Sequence, residues 1–259
     1  AERLSKDAID NRLCDLALNA IDLIDRNLYE RSCDVRWWAT DSAVVDAAKA
    51  PTPQSLRHVT QRLGQILDSY TVYFDLVLAD LDGRILANGR PQQWPHARGA
   101  VVADSAWFKS ALATHSGTQF GFESVHASPL VGGQNALVYS CTVRERGAVH
   151  GKPLGVLGIV FRWDALGPET LKRIPLSPRE AATTRAVIVD DHGRVLADPD
   201  LQRIGDVLRF EGSEALFSQP RGAATARIAG TTWRIGHARS PGFETYATGW
   251  HCLLMRQRD

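Results

Sequence analysis

The sequence predicts an α+β protein in which one long N-terminal helix carries two antiparallel-sheet modules. Three observations support this: an N-terminal stretch without glycine or proline, a later change to short apolar strands, and a strand–turn–strand segment that occurs twice. The 259 residues are 44% hydrophobic and 23% charged, which supplies enough apolar material for folded cores and is too apolar for a disordered chain. The length accommodates two modest domains.

The N-terminal stretch Lys6–Ala48 is predicted to form one uninterrupted helix. Its apolar residues recur at intervals of three, four and seven, so they occupy one stripe of a helix. At a rise of about 1.5 Å per residue the helix would be roughly 60 Å long, which is more than one small compact domain can cover. We therefore expect a spine that joins two modules, although a dimerising coiled coil also fits the stripe.

A first sheet module is expected after the spine. Thr52 is a good N-cap followed by Pro53, and together they predict a second helix that continues to about Asp68. The apolar pattern then changes to that of strands, and a short helix is expected at Ser105–Thr114. The predicted strands are Tyr73–Ala79, Arg84–Ala87, Gln119–Ser124, Ala136–Arg144 and Leu154–Trp163.

One hairpin sequence occurs twice, at Val77–Ala87 and again 110 residues later at Val187–Ala197. Each copy is a strand, an Asp- and Gly-containing turn, and a returning strand. An internal repeat of this kind predicts two copies of one structural module. We therefore divide the chain into a helix at 1–50, a first module at 51–170 and a second module at 171–259. In the second module we expect a short helix near Ser213–Phe217 and strands at Ala223–Ile228, Thr232–Ser240 and Trp250–Arg256.

Four further segments resemble, in this order and spacing, the motifs of the double Cache sensor domain, whose two modules are PAS-like. These segments are Trp38–Val45, Ala106–Ala111, Gly155–Val160 and Gly249–Met255. The resemblance implies the periplasmic, extracytoplasmic part of a bacterial chemoreceptor, sensor kinase or cyclase. It further implies that the parent protein is anchored in the membrane at both ends of this chain. We expect the isolated domain to be a weak homodimer, or else a monomer. The module 51–170 would then be membrane-distal and bind a small-molecule ligand, and the module 171–259 would be membrane-proximal.

Aromatic side chains, with a few polar ones among them, concentrate in the module 51–170. This composition favours a pocket for a small polar or heteroaromatic molecule, such as a purine or an organic acid. The alternative for several of these aromatic residues is ordinary core packing. The candidate ligand-binding residues are Trp94, Arg98, Trp107, Phe108, Phe122, Glu123, His126, Tyr139 and Cys141.

The sequence departs from the amino-acid-binding pattern of the resembled family at two charged positions. That pattern has an arginine two residues before the Trp–aromatic pair and an aspartate near the end of the last distal strand. Here Ser105 occupies the first position, and the strand reads Ile159-Val160-Phe161 without an acid. A buried ammonium without a carboxylate partner loses its hydration uncompensated. We therefore expect ligands other than amino acids.

Other function classes lack a supporting pattern in the sequence. A net charge of +1 without a long basic segment argues against nucleic-acid binding. The sequence carries no nucleophile–base motif, phosphate-binding loop or zinc-ligand spacing, so we predict no catalytic residue, no metal and no cofactor. A second functional hypothesis is an interaction and dimerisation module that reads a periplasmic binding protein rather than a small molecule. An apolar distal interior without convergent polar groups would favour it.

Overall fold

The computed structural model describes residues 2–258, which form α-helices and two five-stranded antiparallel sheets. The predicted α+β class with a long N-terminal helix and two sheet modules is confirmed. Residue contacts divide the chain into two units. Unit 1 contains the chain up to Tyr29 together with the chain from Ala165 onward, and unit 2 contains Glu30–Asp164.

The N-terminal helix ends earlier than the sequence pattern predicts. Helix α1 spans Glu2–Trp38 and helix α2 spans Ser42–Lys49, so the prediction of one helix through Ala48 is wrong at residues 39–41. The break is caused by Asp41, whose carboxylate accepts a hydrogen bond from the backbone N–H of Ala43 at 3.1 Å. A short acidic side chain that bonds its own backbone in this way begins a new helix rather than continuing the old one.

Unit 2 contains the first sheet, with strand order β2-β1-β5-β4-β3. Helix α3 begins as predicted, because the side chains of Thr52 and Ser55 each accept a hydrogen bond from the other residue's backbone N–H. The elements of this unit are α3 (Pro53–Asp68), β1 (Tyr73–Asp80), β2 (Ile85–Asn88), α4 (Ala106–Leu112), β3 (Gly121–Ser128), β4 (Gln134–Arg144) and β5 (Pro153–Arg162).

The two faces of this sheet have different partners. One face packs against α4 through a buried apolar cluster that includes Val77, Val138 and Trp107. The other face packs against the end of α1, where the hydroxyl of Tyr73 donates to Asp34 at 2.5 Å and the rings of Trp38 and Tyr73 lie 5.5 Å apart. Neighbouring residues of a strand point to opposite faces, so a residue's position in its strand decides which partner it meets.

Unit 1 contains the second sheet, with strand order β7-β6-β10-β9-β8, which repeats the topology of the first. Two short helices after Ala165 were not predicted from the sequence. The elements after α1 are α5 (Gly167–Lys172), α6 (Pro178–Ala181), β6 (Thr184–Val189), β7 (Val195–Ala197), α7 (Ser213–Phe217), β8 (Arg221–Ile228), β9 (Thr231–Arg239) and β10 (His251–Gln257).

The repeated hairpin sequences form repeated turns. Asp80 Oδ1 accepts from the backbone N–H groups two and four residues further on, at 3.0 Å each, and Asp190 Oδ1 does the same at 2.9 and 3.0 Å. Gly83 and Gly193 close the turns with φ of +84° and +80°, a conformation that glycine adopts without strain. The interpretation of these aspartates as turn residues is confirmed.

Candidate functional site

Trp107 lies on α4 with its ring flat against the first sheet. A Cβ added at Gly158 of β5 would come within 2.9 Å of the indole, so the ring needs a glycine beneath it. Two hydrogen bonds hold α4 in place, from Ser140 Oγ to the carbonyl of Trp107 at 2.6 Å and from Thr142 Oγ1 to the carbonyl of Ala111 at 2.8 Å. Trp107 is only 2% exposed. The predicted residue Trp107 is therefore buried between α4 and the sheet, and its position is fixed by the helix that carries it.

Two more predicted residues join Trp107 in the same apolar cluster. The ring of Phe108 lies edge-on to Trp107, with centroids 6.2 Å apart. Trp94 comes from the loop after β2, packs against the cluster, and donates its indole N–H to the carbonyl of Phe74 at 3.0 Å. Buried aromatic rings at these separations attract each other beyond the area they bury. The structure thus brings three of the nine predicted residues into one apolar cluster, which we call the Trp107 layer.

Glu123 and His126 form a half-buried polar pair beside the start of α4. The Ser105 side chain makes no capping bond to this helix, and Glu123 Oε1 instead accepts the backbone N–H of Trp107 at 3.1 Å. His126 Nε2 lies 3.2 Å from Glu123 Oε2, and its Nδ1 lies 2.7 Å from the carbonyl of Ser124. With Nδ1 donating to that carbonyl, Nε2 can donate to the carboxylate only when the imidazole carries both protons. These two candidates meet each other and Trp107.

Phe122, Tyr139 and Cys141 lie on the opposite face of the sheet. Phe122 and Tyr139 are cross-strand partners with ring centroids 5.0 Å apart, and the Cys141 thiol contacts the carbonyl of Gln119 at 3.6 Å. Val138 faces α4, so the alternation of the strand turns Tyr139 and Cys141 away from it. Burial raises the pKa of the Cys141 thiol to about 11. The expectation that all nine candidates line one pocket is wrong for these three.

Arg98 is exposed and lines a different cavity. This cavity has a volume of about 520 Å³, and its walls come from α3, β2 and the loop after β2, including Leu56, Asn88 and Pro91. Arg98 therefore does not converge with the cluster formed around Trp107.

A buried polar network was missed by the sequence analysis. Asp75, fully buried in β1, accepts from Asn88 Nδ2 at 2.8 Å and from the backbone N–H of Arg90 at 3.0 Å. Burial raises the pKa of Asp75 to about 6, although these hydrogen bonds oppose the shift. The Arg90 guanidinium donates to the carbonyls of Tyr73 and Phe74, which ties the base of the loop carrying Trp94 to β1. The sequence did contain a signal for this network, because Asp75 is an acid within an apolar strand and a buried carboxylate requires hydrogen-bond partners.

This face thus combines an aromatic cluster, a glycine floor beneath Trp107 and a polar pair beside the start of α4. Within residues 2–258 no group of three or more His, Cys, Asp or Glu side chains is placed to hold a metal ion. Over the same residues, no helix combines the length and the apolar character that a membrane span requires.

Comparison with known proteins gives a match along almost the whole chain. A family model described as a Cache domain, of the double-Cache type, matches residues 6–259. No curated protein sequence matches significantly.

Solved structures with the same fold are sensor domains of bacterial receptors. The sensor domain of the V. cholerae histidine kinase DctB is 14% identical, with a TM-score of 0.74 and coverage of 98% of this chain and 99% of that one. The sensory domain of the Campylobacter jejuni chemoreceptor Tlp3 is 11% identical, with a TM-score of 0.70 and coverage of 98% and 95%. The ligand-binding domain of the Pseudomonas fluorescens chemoreceptor CtaA in complex with L-serine is 18% identical, with a TM-score of 0.69 and coverage of 97% and 98%. At these identities the structures establish the shared fold.

Proposed function

This chain belongs to the Cache domain family, and we propose that it is the periplasmic ligand-sensing domain of a membrane-anchored signalling receptor, a chemoreceptor. The observation that carries the proposal is the family match over residues 6–259, which includes both units. The sensor-domain fold shared with DctB, Tlp3 and CtaA supports it. In this proposal the module 51–170 is membrane-distal, the module 171–259 is membrane-proximal, and the domain forms a weak homodimer.

The ligand of the distal module is a small polar or heteroaromatic molecule, such as a purine or an organic acid. A flat guest can take over ring contacts of this layer, in which Phe108 lies edge-on to Trp107 and Trp94 lies edge-on to Phe74. Glu123 and His126 offer hydrogen-bond partners at the edge of the same layer. CtaA and Tlp3 have been solved with L-serine and isoleucine. This chain has Ser105 and an apolar strand at the two positions where a ligand carboxylate and ammonium would need charged partners.

Signalling follows from differential affinity for two arrangements of the domain. The guest must displace the Trp107 ring from the Gly158 floor, so the occupied unit differs from the closed one around α4. A ligand shifts such an equilibrium only by the difference between its affinities for the two states. Helix α1 supplies residues to both units and is the element through which the change is relayed.

The test is a thermal-shift screen with purines, organic acids, aromatic acids, amines and amino acids, followed by calorimetry. A ligand at about 100 times its Kd stabilises the fold by about 2.7 kcal/mol, which is readily measured. We expect a hit to weaken in Glu123→Gln and Trp107→Phe. The matched control is Glu145→Gln, because Glu145 is a half-exposed acid paired with Lys49. A ligand whose affinity is the same for both site variants as for the original chain would bind outside the Trp107 layer, which would contradict the proposal.

The alternative is an interaction and dimerisation module that reads a periplasmic binding protein. It is favoured by the apolar packing of the Trp107 face and by Trp37 on α1, whose surface is 76% exposed. An exposed tryptophan is typical of protein-contact surfaces. Sedimentation of the chain and of Trp37→Ser, with and without a purified binding protein, tests this function. A complex with that protein that Trp37→Ser weakens, together with an empty small-molecule screen, would favour the alternative.

A further inference from the structure

Unit 1 contains a cavity of about 520 Å³ at one end of its sheet. It lies beside the β6–β7 turn, α7, the end of β9 and the residues just before β10. The volume is within the range of small-molecule sites. Its lining includes the side chains of Asp191, Arg209, Ser213, Glu214, Phe217 and Arg239.

A buried histidine pair orients one of the cavity's carboxylates. His237 Nε2 lies 2.8 Å from His251 Nδ1, and His251 Nε2 lies 2.5 Å from Asp191 Oδ1. Both imidazoles are fully buried, and Phe217 stacks on His251 with centroids 4.6 Å apart. Burial lowers the pKa of both histidines, that of His237 to about 3, which keeps them neutral. When each neutral ring carries its proton on Nε2, His237 donates to His251 Nδ1 and His251 donates to Asp191, which makes one chain of donors.

The repeat in unit 2 shows that the fold does not require this arrangement. The hairpins correspond at a spacing of 110 residues, so Leu81 occupies the place of Asp191. In unit 1 His251 pairs with Val189, and in unit 2 Val156 pairs with the equivalent residue Ala79, so Val156 takes the place of His251. The pairings of the next strand in each sheet likewise put Ser140 in the place of His237. Unit 2 makes the same turn and sheet without the chain of donors. The Asp191–His251–His237 chain is therefore an addition specific to this cavity.

Two arginines face the same cavity and are positioned by backbone carbonyls. Arg209 Nε donates to the carbonyl of His192 at 3.2 Å, and Arg239 Nη1 donates to the carbonyl of Ser218 at 3.3 Å. A guanidinium has five N–H donors, so each retains donors for a ligand carboxylate. Glu214, on α7, adds a second carboxylate to the lining.

The charges of the lining identify the class of ligand. Two arginines of the lining balance one aspartate and one glutamate. A dianion would meet two uncompensated carboxylates here, and a dication would meet two guanidinium groups. We propose that this cavity is a second ligand site, which binds a small zwitterion with its carboxylate on Arg209 and Arg239 and its ammonium on Asp191 and Glu214. It is separate from the Trp107 site and does not depend on that site's ligand.

The experiment is calorimetric titration of the intact chain with four probes, namely glycine betaine, L-alanine, succinate and putrescine. The two zwitterions distinguish a quaternary from a primary ammonium, and the other two probes carry two charges of one sign. We expect at least one zwitterion to bind, with Kd rising at least about tenfold in Asp191→Asn and in Arg239→Gln. Both residues are exposed, so neither variant should prevent folding. The imidazole NMR signals of His251 should shift on binding.

Matched controls separate this site from the rest of the chain. Asp206→Asn and Arg227→Gln change exposed residues of unit 1 outside the cavity and should leave Kd unchanged. No zwitterion binding up to about 10 mM, or tighter binding of succinate or putrescine, would overturn the proposal. So would zwitterion binding that survives Asp191→Asn but is lost in Glu123→Gln, because it would place the ligand in unit 2 and support the distal function instead.

Discussion

Replacing Asp25 should loosen the loop that joins β9 to β10 more than any exposed acid of α1 could. Its carboxylate is fully buried and accepts four hydrogen bonds from that loop. Ser240 Oγ lies at 2.5 Å, Gly242 N at 2.8 Å, Thr248 Oγ1 at 2.7 Å and Thr248 N at 3.2 Å. One side chain of α1 thus satisfies two backbone donors and two hydroxyls of a segment more than 200 residues away in sequence.

The size of the effect follows from these four bonds. The two hydroxyls can rotate toward water or other acceptors, whereas the two backbone N–H groups cannot. Hydrogen bonds to charged groups contribute about 1.5–3 kcal/mol each, so losing the two backbone bonds in Asp25→Ala should lower the free energy of unfolding by about 3–6 kcal/mol. Asp25→Asn keeps one acceptor oxygen and turns an amide toward the remaining donors, so it should cost roughly half as much.

The assay is urea unfolding combined with hydrogen exchange of the amides of Gly242 and Thr248. Hydrogen exchange is needed because the chain has two units, and a local readout assigns the effect to unit 1. The control is Asp22→Asn. Asp22 is half-exposed and pairs with Arg26 one turn further along α1, so the expected cost is at most about 1 kcal/mol. A cost of Asp25→Ala below about 1 kcal/mol, or unchanged protection of both amides, would show that Asp25 does not hold this loop.

Three further variants test the packing and the buried titratable groups. Gly158→Ala puts a methyl group against the Trp107 ring, so it should cost about 1–3 kcal/mol and change the near-UV circular dichroism; an unchanged spectrum would contradict the packing. The folded pKa of Asp75 is raised from 3.8 to about 6, so its folded state binds more protons and stability falls as pH rises through that window. The cost of Asp75→Asn in urea unfolding should therefore shrink from pH 4 to pH 7, and a constant cost would refute the shift. The folded pKa of His237 is lowered from 6.5 to about 3, so the unfolded state binds more protons and stability is lost as pH falls from 6.5 toward 3. The cost of His237→Gln should be largest above pH 6.5, and a cost that grows in acid would contradict this.

Most elements of the fold could be predicted from local sequence patterns. The Thr52 cap, the period of the apolar residues and the repeated aspartate–glycine turns depend on neighbours within a few residues, so they could be recognised in the sequence. The repeat also predicted that the second sheet would copy the first. The end of α1 was missed because Asp41 does not interrupt the apolar stripe, and its capping bond becomes visible only in the structure.

The functional residues were only partly predictable. Trp94, Trp107, Phe108, Glu123 and His126 come together, but Tyr139 and Cys141 could not be separated from them without knowing which face of β4 meets α4. Asp75 and the pair His237–His251 depend in the same way on partners from other elements.

The sequence by itself therefore determined the order of the elements, the turns and the duplication, because these follow from interactions between residues close along the chain. Only the tertiary structure decided which side chains share a face or a cavity. Strand register and helix packing bring residues together from distant positions, and the pattern around any one of them does not contain that information.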